Sequence, residues 1–388
     1  MIAQQRIPLC VPNVGEAERA YLNRCIDDNF VSSVGPFVGE FESRLAEVTG
    51  GSGAVTTGSG TQALRLSLHL VGVGPGDLVV MPAFTFIATA NAAWQAGAGL
   101  ALLDVEPEGW TLDPAELAAF LEEDCRPGPA GPEHKASGRR VGAVIPVYTF
   151  GVAPRMREIQ AICQAHGVPL VADAAAALGT STEQGALAEL ADLTCLSFNG
   201  NKIITTGCGG ALLGRRADLL QRGRHLASTA RLGAEYDHDE PAFNYRMSNM
   251  QAGIGLAQLD RLPEFVARKR QVRAAYDAAA AASGRASGFP EPSWSRSNAW
   301  FSGVVLSGAD GPQAAQAVLR RLQAAGVEAR PFWKPLHLQR PYLEAQRRSL
   351  ANTDDLWGRL VTLPSSTGLT DAQLGACVEA LSRTLAEL

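Results

Sequence analysis

The sequence has no apolar run long enough to cross a bilayer. Its opening residues, Met1-Ile2-Ala3-Gln4-Gln5-Arg6, lack the charged region followed by an apolar stretch that marks a secretory leader. These absences lead to the expectation of a cytoplasmic protein without a membrane partner. The seven cysteines (Cys10, Cys25, Cys125, Cys163, Cys195, Cys208 and Cys377) are odd in number and scattered, with no Cys-x-x-Cys spacing. That pattern argues against a zinc site, or any metal centre, and fits a reducing compartment. Nor is there an excess of positive charge: 34 basic residues against 39 acidic ones leave a net charge of −5. Such a balance argues against a nucleic-acid partner while leaving room for a local basic pocket.

What is present is an ordinary globular composition, 46% hydrophobic and 19% charged over 388 residues. A chain of that length exceeds a single core. The expected division is a large domain, residues 1–255, carrying an N-terminal arm over residues 1–36, and a small α+β domain, residues 256–388.

Two stretches carry the chemistry. Val168-Pro169-Leu170-Val171-Ala172 is an apolar run that ends in Asp173, the pattern of a buried parallel strand with a carboxylate at its carboxyl end. Cys195-Leu196-Ser197-Phe198-Asn199-Gly200-Asn201-Lys202 is a second apolar run, ending in a short polar loop that presents one lysine. Open α/β sheets bind ligands beyond the carboxyl ends of their strands, so both groups should face one crevice. Alone, an aspartate after a strand is ordinarily a helix cap and a lysine is ordinarily a solvated charge. Together they suit pyridoxal phosphate: the amine condenses with the aldehyde, and the carboxylate keeps the ring nitrogen protonated so that the ring can accept electrons.

A strand at Ala54-Val55-Thr56-Thr57 runs into Gly58-Ser59-Gly60-Thr61-Gln62-Ala63 and a helix. Strand, small-residue turn and helix start offer free backbone N–H groups and a helix dipole to a phosphate, with Gly60 and Thr61 as the natural cradle. A dinucleotide-binding turn could look similar, and Ala63 at the third glycine position is a variant that motif tolerates. Asp77 to Pro82 is another buried strand, followed by Phe84-Thr85-Phe86, where an aromatic just past a strand end can cover a ring and exclude water. Strands alternating with helices through residue 215 imply an α/β fold, a mostly parallel sheet flanked by helices. Further on, helices are expected over Gln251 to Ala282 as one long stretch, Pro312 to Ala325 and Asp371 to Leu385, with strands over Ala299 to Leu306 and Val327 to Phe332.

The order strand-Asp173, Ser197-Phe198-Asn199-Gly200-Asn201-Lys202, then glycines Gly207, Gly209 and Gly210 resembles the DegT/DnrJ/StrS nucleotide-sugar aminotransferases, within the fold-type-I (aspartate-aminotransferase-like) pyridoxal phosphate enzymes. The resemblance implies that Lys202 carries the coenzyme and Asp173 pairs with its ring nitrogen. It implies that Phe86 stacks on the ring, with Phe84 in the core, and that Gly60, Thr61 and Ser197 hold the phosphate, with Asn199 as a further coenzyme or sugar contact. Phe243-Asn244-Tyr245-Arg246-Met247 resembles the family's Asn-x-Arg-Met signature, which implies a homodimer in which Asn244 reaches the partner's phosphate. Ser33 in the turn Val31 to Pro36, Arg231 in the polar loop 229–240, and Arg330, Lys334 and His337 in the segment Arg330 to His337 are expected on the nucleotide-sugar side. The implied reaction moves an amino group, with glutamate as the usual donor, to a keto sugar. The Ser-Phe-Asn-Gly-Asn-Lys-Ile-Ile-Thr-Thr form is most similar to enzymes acting at C4 of UDP-linked 4-keto-6-deoxy-N-acetylhexosamines.

Two positions depart from the family pattern: Ala176 stands where Gln, His or Glu is usual, and Tyr148 where His is usual. Other readings stay open on the sequence: a dehydratase on the same fold, against which the lysine itself argues, a nicotinamide-dependent sugar oxidoreductase, and a non-catalytic regulator.

Overall fold

The apolar runs become the strands of one sheet. The computed structural model describes residues 6–388; the first five residues of the N-terminal arm lie outside the described residues. The strands are β1 (Gly53–Thr57), β2 (Leu78–Pro82), β3 (Gly99–Leu103), β4 (Val141–Val144), β5 (Val171–Asp173), β6 (Leu193–Ser197) and β7 (Gly210–Gly214). They lie in the order β1-β7-β6-β5-β4-β2-β3, with β4 and β5 joined through the parallel bridges Val144 to Leu170 and Val147 to Asp173. Neighbours run parallel except at β7, which is antiparallel to both β1 and β6. Its reversal brings Gly209 and Gly210 to the rim where the parallel strands end, opposite Ser197 and Thr57.

Both faces of the sheet are covered. One buries Phe37, Phe41, Leu45 and Leu256 from the helices Pro36–Thr49 and Asn249–Asp260; the other buries Leu64, Leu66, Leu68 and Ala92 from Gly60–Leu70 and Ile87–Gln95. Strands apolar on both sides are what a sheet sandwiched between helices requires.

A smaller lobe has its own cluster around Val272, Tyr276, Val304, Leu322, Val361 and Leu381. Its three-stranded antiparallel sheet places Ser302–Leu306 between Ala286–Gly288 and Leu360–Leu363, backed by the helices Leu262–Ser283, Gly311–Ala324 and Asp371–Ala386. Residue 255 falls inside the helix Asn249–Asp260, which packs on Glu16–Asp27 and Pro36–Thr49; small-lobe packing begins with the next helix. The lobes also interleave: Gln346–Arg347 pairs in parallel with β3, and Leu336, Tyr342 and Leu350 pack into the large lobe.

Two expectations are corrected. The long stretch Gln251 to Ala282 is two helices that meet at Arg261, because Pro263 in the first turn of the second has no N–H to continue the ladder. Val327 to Phe332 is not a strand. It makes single bridges, Val327 with Ile7 and Arg330 with Thr362, and contains Pro331, which has no N–H for a ladder; the strand beside it is Leu360–Leu363. Among the described residues, no helix is long and apolar enough to cross a membrane.

Candidate active site

At the carboxyl rim lies a cavity of about 220 Å³ whose wall includes Gly60, Thr61, Phe86, Asp173, Ser197, Asn199 and Lys202. Each arrives by a different element: Gly60 and Thr61 start the helix after β1, Phe86 precedes the helix after β2, Asp173 and Ser197 end β5 and β6, and Lys202 follows in the turn.

Asp173 is 5% exposed. Its Oδ2 accepts from Thr89 Oγ1 at 2.7 Å and its Oδ1 from the Ala175 N–H at 3.1 Å. Burial raises its carboxyl above the ordinary carboxylate value, while these two donors and the charge of Lys202 pull the other way. Burial has the opposite effect on Lys202, lowering its amine from 10.5 to about 8 against the attraction of Asp173 and, more weakly, Cys10. An amine near that value exists in both protonation states at working pH, as a group that both takes and returns a proton must.

The helix Gly60–Leu70 starts at the cavity. Ser59 caps it, accepting from the Gln62 N–H at 3.2 Å, and the N–H groups of Gly60 and Thr61 have no intrahelical acceptor. Glycine is required here by close approach. A Cβ on Gly60 would lie 2.8 Å from the Ser197 Cβ, and one on Gly210 would lie 2.5 Å from the Gly60 nitrogen. The turn is therefore pressed against Ser197, so that its amide donors and the serine stand at one end of the cavity.

The opposite wall is aromatic. Phe86 is exposed to the cavity, with its ring centroid 5.7 Å from that of Trp333, and Trp333 in turn lies 5.9 Å from Trp300. Phe84 is fully buried. Asn199 donates through Nδ2 to Asn201 Oδ1 at 3.3 Å, and both line the cavity.

The remaining predicted residues do not line this cavity in the single chain. Asn244 is exposed and bridges to Ser228. Arg231 is exposed in a short hairpin with Asp237–His238, its guanidinium 4.3 Å from the Tyr236 ring centroid. Ser33 sits in the turn before Pro36, and Lys334 is exposed. Arg330 is paired with Glu328. His337 is 8% exposed and its Nε2 is held by Asp354 Oδ1 at 2.8 Å. Among the described residues, the grouping of histidine and carboxylates that comes together is His225, Asp239 and Glu240, far along the chain from Lys202, with His225 bonded to Asp239 and Glu240 paired with Arg222.

Several residues of the cavity wall were not predicted. Thr89, one helical turn from Thr85, was signalled by the spacing Thr85-x-x-x-Thr89; their hydroxyls lie 3.1 Å apart. Trp300 and Asn201 carried no signal of their own. Both departures from the family pattern, Ala176 and Tyr148, are in the cavity wall.

A family model described as the DegT/DnrJ/EryC1/StrS aminotransferase family matches residues 12–382. The chain belongs to this family. It is 36% identical to EpsN of Bacillus subtilis over 382 residues, covering 97% of this chain and 95% of that one. It is 33% identical over 385 residues to a GDP-perosamine synthase of Caulobacter vibrioides, covering 98% of each. Among solved structures, the aminotransferase TlmJ of Streptoalloteichus hindustanus superposes with a TM-score of 0.88 at 30% identity, covering 98% of this chain and 99% of that one. The fold is that of the type I pyridoxal phosphate enzymes, and this chain is a pyridoxal phosphate-dependent sugar aminotransferase.

The residues present fit the coenzyme. A carboxylate without a cation bonded to it, an amine lowered to about 8 and a pair of uncapped amide donors face one cavity, which matches a protonated ring nitrogen, an aldehyde and a phosphate. When bound, the coenzyme supplies an electron sink that makes the donor's α-proton labile.

Proposed function

We propose that this aminotransferase transfers the amino group of glutamate to C4 of a UDP-linked 4-keto-6-deoxy-N-acetylhexosamine, in the assembly of a bacterial surface glycan. The observation that carries the sugar reading is Trp333, a partly exposed aromatic in the cavity wall beside Phe86, whose ring suits the C–H face and the C6 methyl of a deoxy sugar. In this reading Lys202 Nζ would serve as the base that takes the donor's α-proton and as the acid that returns a proton, with the same two roles in the opposite order for the sugar. Asp173 holds the ring nitrogen's proton, Phe86 covers one ring face and excludes water, and Gly60, Thr61 and Ser197 hold the phosphate.

The active unit is proposed to be a homodimer. Lys202 is the sole cationic side chain among the cavity-lining residues, and it is committed to chemistry. A nucleoside diphosphate needs cations or amide donors from elsewhere. Asn244 and Arg231 are exposed on one chain and suit delivery into a second copy, with Ser33 and Lys334 on the sugar side.

GDP is the second reading for the nucleotide, favoured by the GDP-perosamine synthases of Caulobacter vibrioides and Vibrio cholerae, to which the chain is 33% and 30% identical. A panel of UDP-, GDP- and dTDP-linked 4-keto sugars with glutamate, read by product mass, tests both. Amination of the UDP-linked N-acetyl sugar supports the first reading and amination of the GDP sugar alone supports the second. Conversion of no keto sugar overturns both.

A further inference from the structure

Trp300 is buried against the loop that carries the active-site lysine. The Lys202 Nζ lies 3.7 Å from the centroid of the Trp300 ring, and the indole N–H donates to the Asn201 carbonyl at 2.6 Å. The indole is itself fixed from behind. Its backbone N–H donates to Asn298 Oδ1 at 2.9 Å, and Asn298 Nδ2 donates to the carbonyls of Ala176 and Leu178, each at 2.8 Å. Ala299, between them, has φ of 54°, a left-handed conformation that a non-glycine residue keeps only when its surroundings hold it there. The Trp300 carbonyl accepts from Lys269 Nζ at 2.7 Å.

Lys269 is 1% exposed on the helix Leu262–Ser283, and that carbonyl is its hydrogen-bond acceptor. Its Nζ also lies 5.7 Å from the Phe301 ring centroid, and burial lowers its amine below the ordinary value; a buried amine with one hydrogen-bond acceptor still costs the fold more than an apolar side chain of similar length would. The hydrogen bond it makes falls on the residue whose ring meets Lys202.

We propose that the Trp300 ring is the seat of the Lys202 ammonium and sets its basicity, and that Lys269 is a positioning residue acting on Lys202 through Trp300. An indole face within 6 Å of an ammonium stabilises the charged form, the more so away from water. The amine is thus tuned by opposed influences: burial favours the neutral base, while Asp173 and the indole favour the ammonium. The other titratable groups facing it are Cys10 from the N-terminal arm and Cys208 and Tyr148 in the cavity wall. A lysine that serves alternately as base and acid needs this balance.

The test uses the apoenzyme and pyridoxal phosphate, following the rate at which the visible band forms as a function of pH; ionisations of the free coenzyme are common to all variants and cancel. In the unsubstituted enzyme the rate is expected to rise through about 8, where burial places the Lys202 amine. Trp300→Leu is expected to move that midpoint down by about one pH unit, a tenfold change in the ammonium's stability. Trp300→Phe keeps a weaker ring and is expected to shift it less. Lys269→Met is expected to shift it in the same direction without lowering the thermal midpoint of the apoenzyme. An unmoved pH midpoint in folded Trp300→Phe and Trp300→Leu overturns the seat. A lower thermal midpoint in Lys269→Met with an unmoved pH midpoint overturns the positioning role and makes the lysine structural. No sugar enters these measurements, so their failure leaves the substrate assignment untouched.

Discussion

The Thr89 hydroxyl, fully buried in the first turn of its helix, donates to Asp173 Oδ2 at 2.7 Å and so fixes the plane of the carboxylate that faces the cavity. With the Ala175 N–H on the other oxygen, Asp173 is aimed before any ligand arrives. Such preorganisation is what makes a buried charge useful to catalysis.

Asp173 carries a cost that pH reveals. Burial raises its carboxyl above the ordinary 3.8, so the native chain holds that proton more tightly than the unfolded chain does. Its ionised form therefore costs stability above the raised value, and the cost disappears as pH falls through that value towards 3.8. Asp173→Asn apoenzyme should melt above the unsubstituted apoenzyme near neutral pH, with the difference shrinking on acidification. The same substitution should lower turnover by about a hundredfold or more, because the ring nitrogen loses its anionic partner. Calorimetry of the two apoenzymes across pH, with turnover of the loaded forms, checks both effects.

The pressed turn at Gly60 gives a second expectation. A methyl there meets the Ser197 Cβ at 2.8 Å and the Leu196 carbonyl at 3.2 Å, so the helix start must move away from the phosphate end. Gly60→Ala should weaken pyridoxal phosphate binding by about tenfold to a hundredfold, by the usual size of such overpacking. Titration of the visible band with coenzyme measures it, and the thermal midpoint of the apoenzyme should change much less.

The proposed sharing of sites between two copies makes a prediction that a self-contained chain cannot meet. Lys202→Ala and Asn244→Ala homodimers should each be impaired. Refolding the two together yields hybrids in which one site combines an intact Lys202 with an intact Asn244, restoring about a quarter of full activity. If the mixture shows only the average of its parents, each chain works alone.

The fold was largely legible because the apolar runs of the sheet are long, buried on both faces and separated by glycine-rich turns. Asp173 and Lys202 were brought to one place because Asp173 ends such a run and Lys202 lies in the turn that follows one, and the rim of an open sheet gathers what its strands and their turns carry. Trp300 could not be read in this way. It reaches Lys202 from the small lobe, across a left-handed Ala299, by a path that no local pattern records. The burial of His337 was hidden for the converse reason: its neighbours Lys334 and Arg330 are polar and exposed, but Asp354, its partner, is 17 positions away in another helix. The break at Arg261 was signalled by Pro263 and masked by the uninterrupted helical composition on either side.

The central claim is that one amine, at position 202, carries the coenzyme opposite Asp173. Borohydride reduction of the purified holoenzyme, followed by peptide mass mapping, tests it most directly. The account predicts a phosphopyridoxyl group on Lys202 and its loss, together with the visible band and all turnover, in Lys202→Ala. A group found on Lys269 or any other lysine, or a Lys202→Ala enzyme that still transfers amino groups, would contradict it.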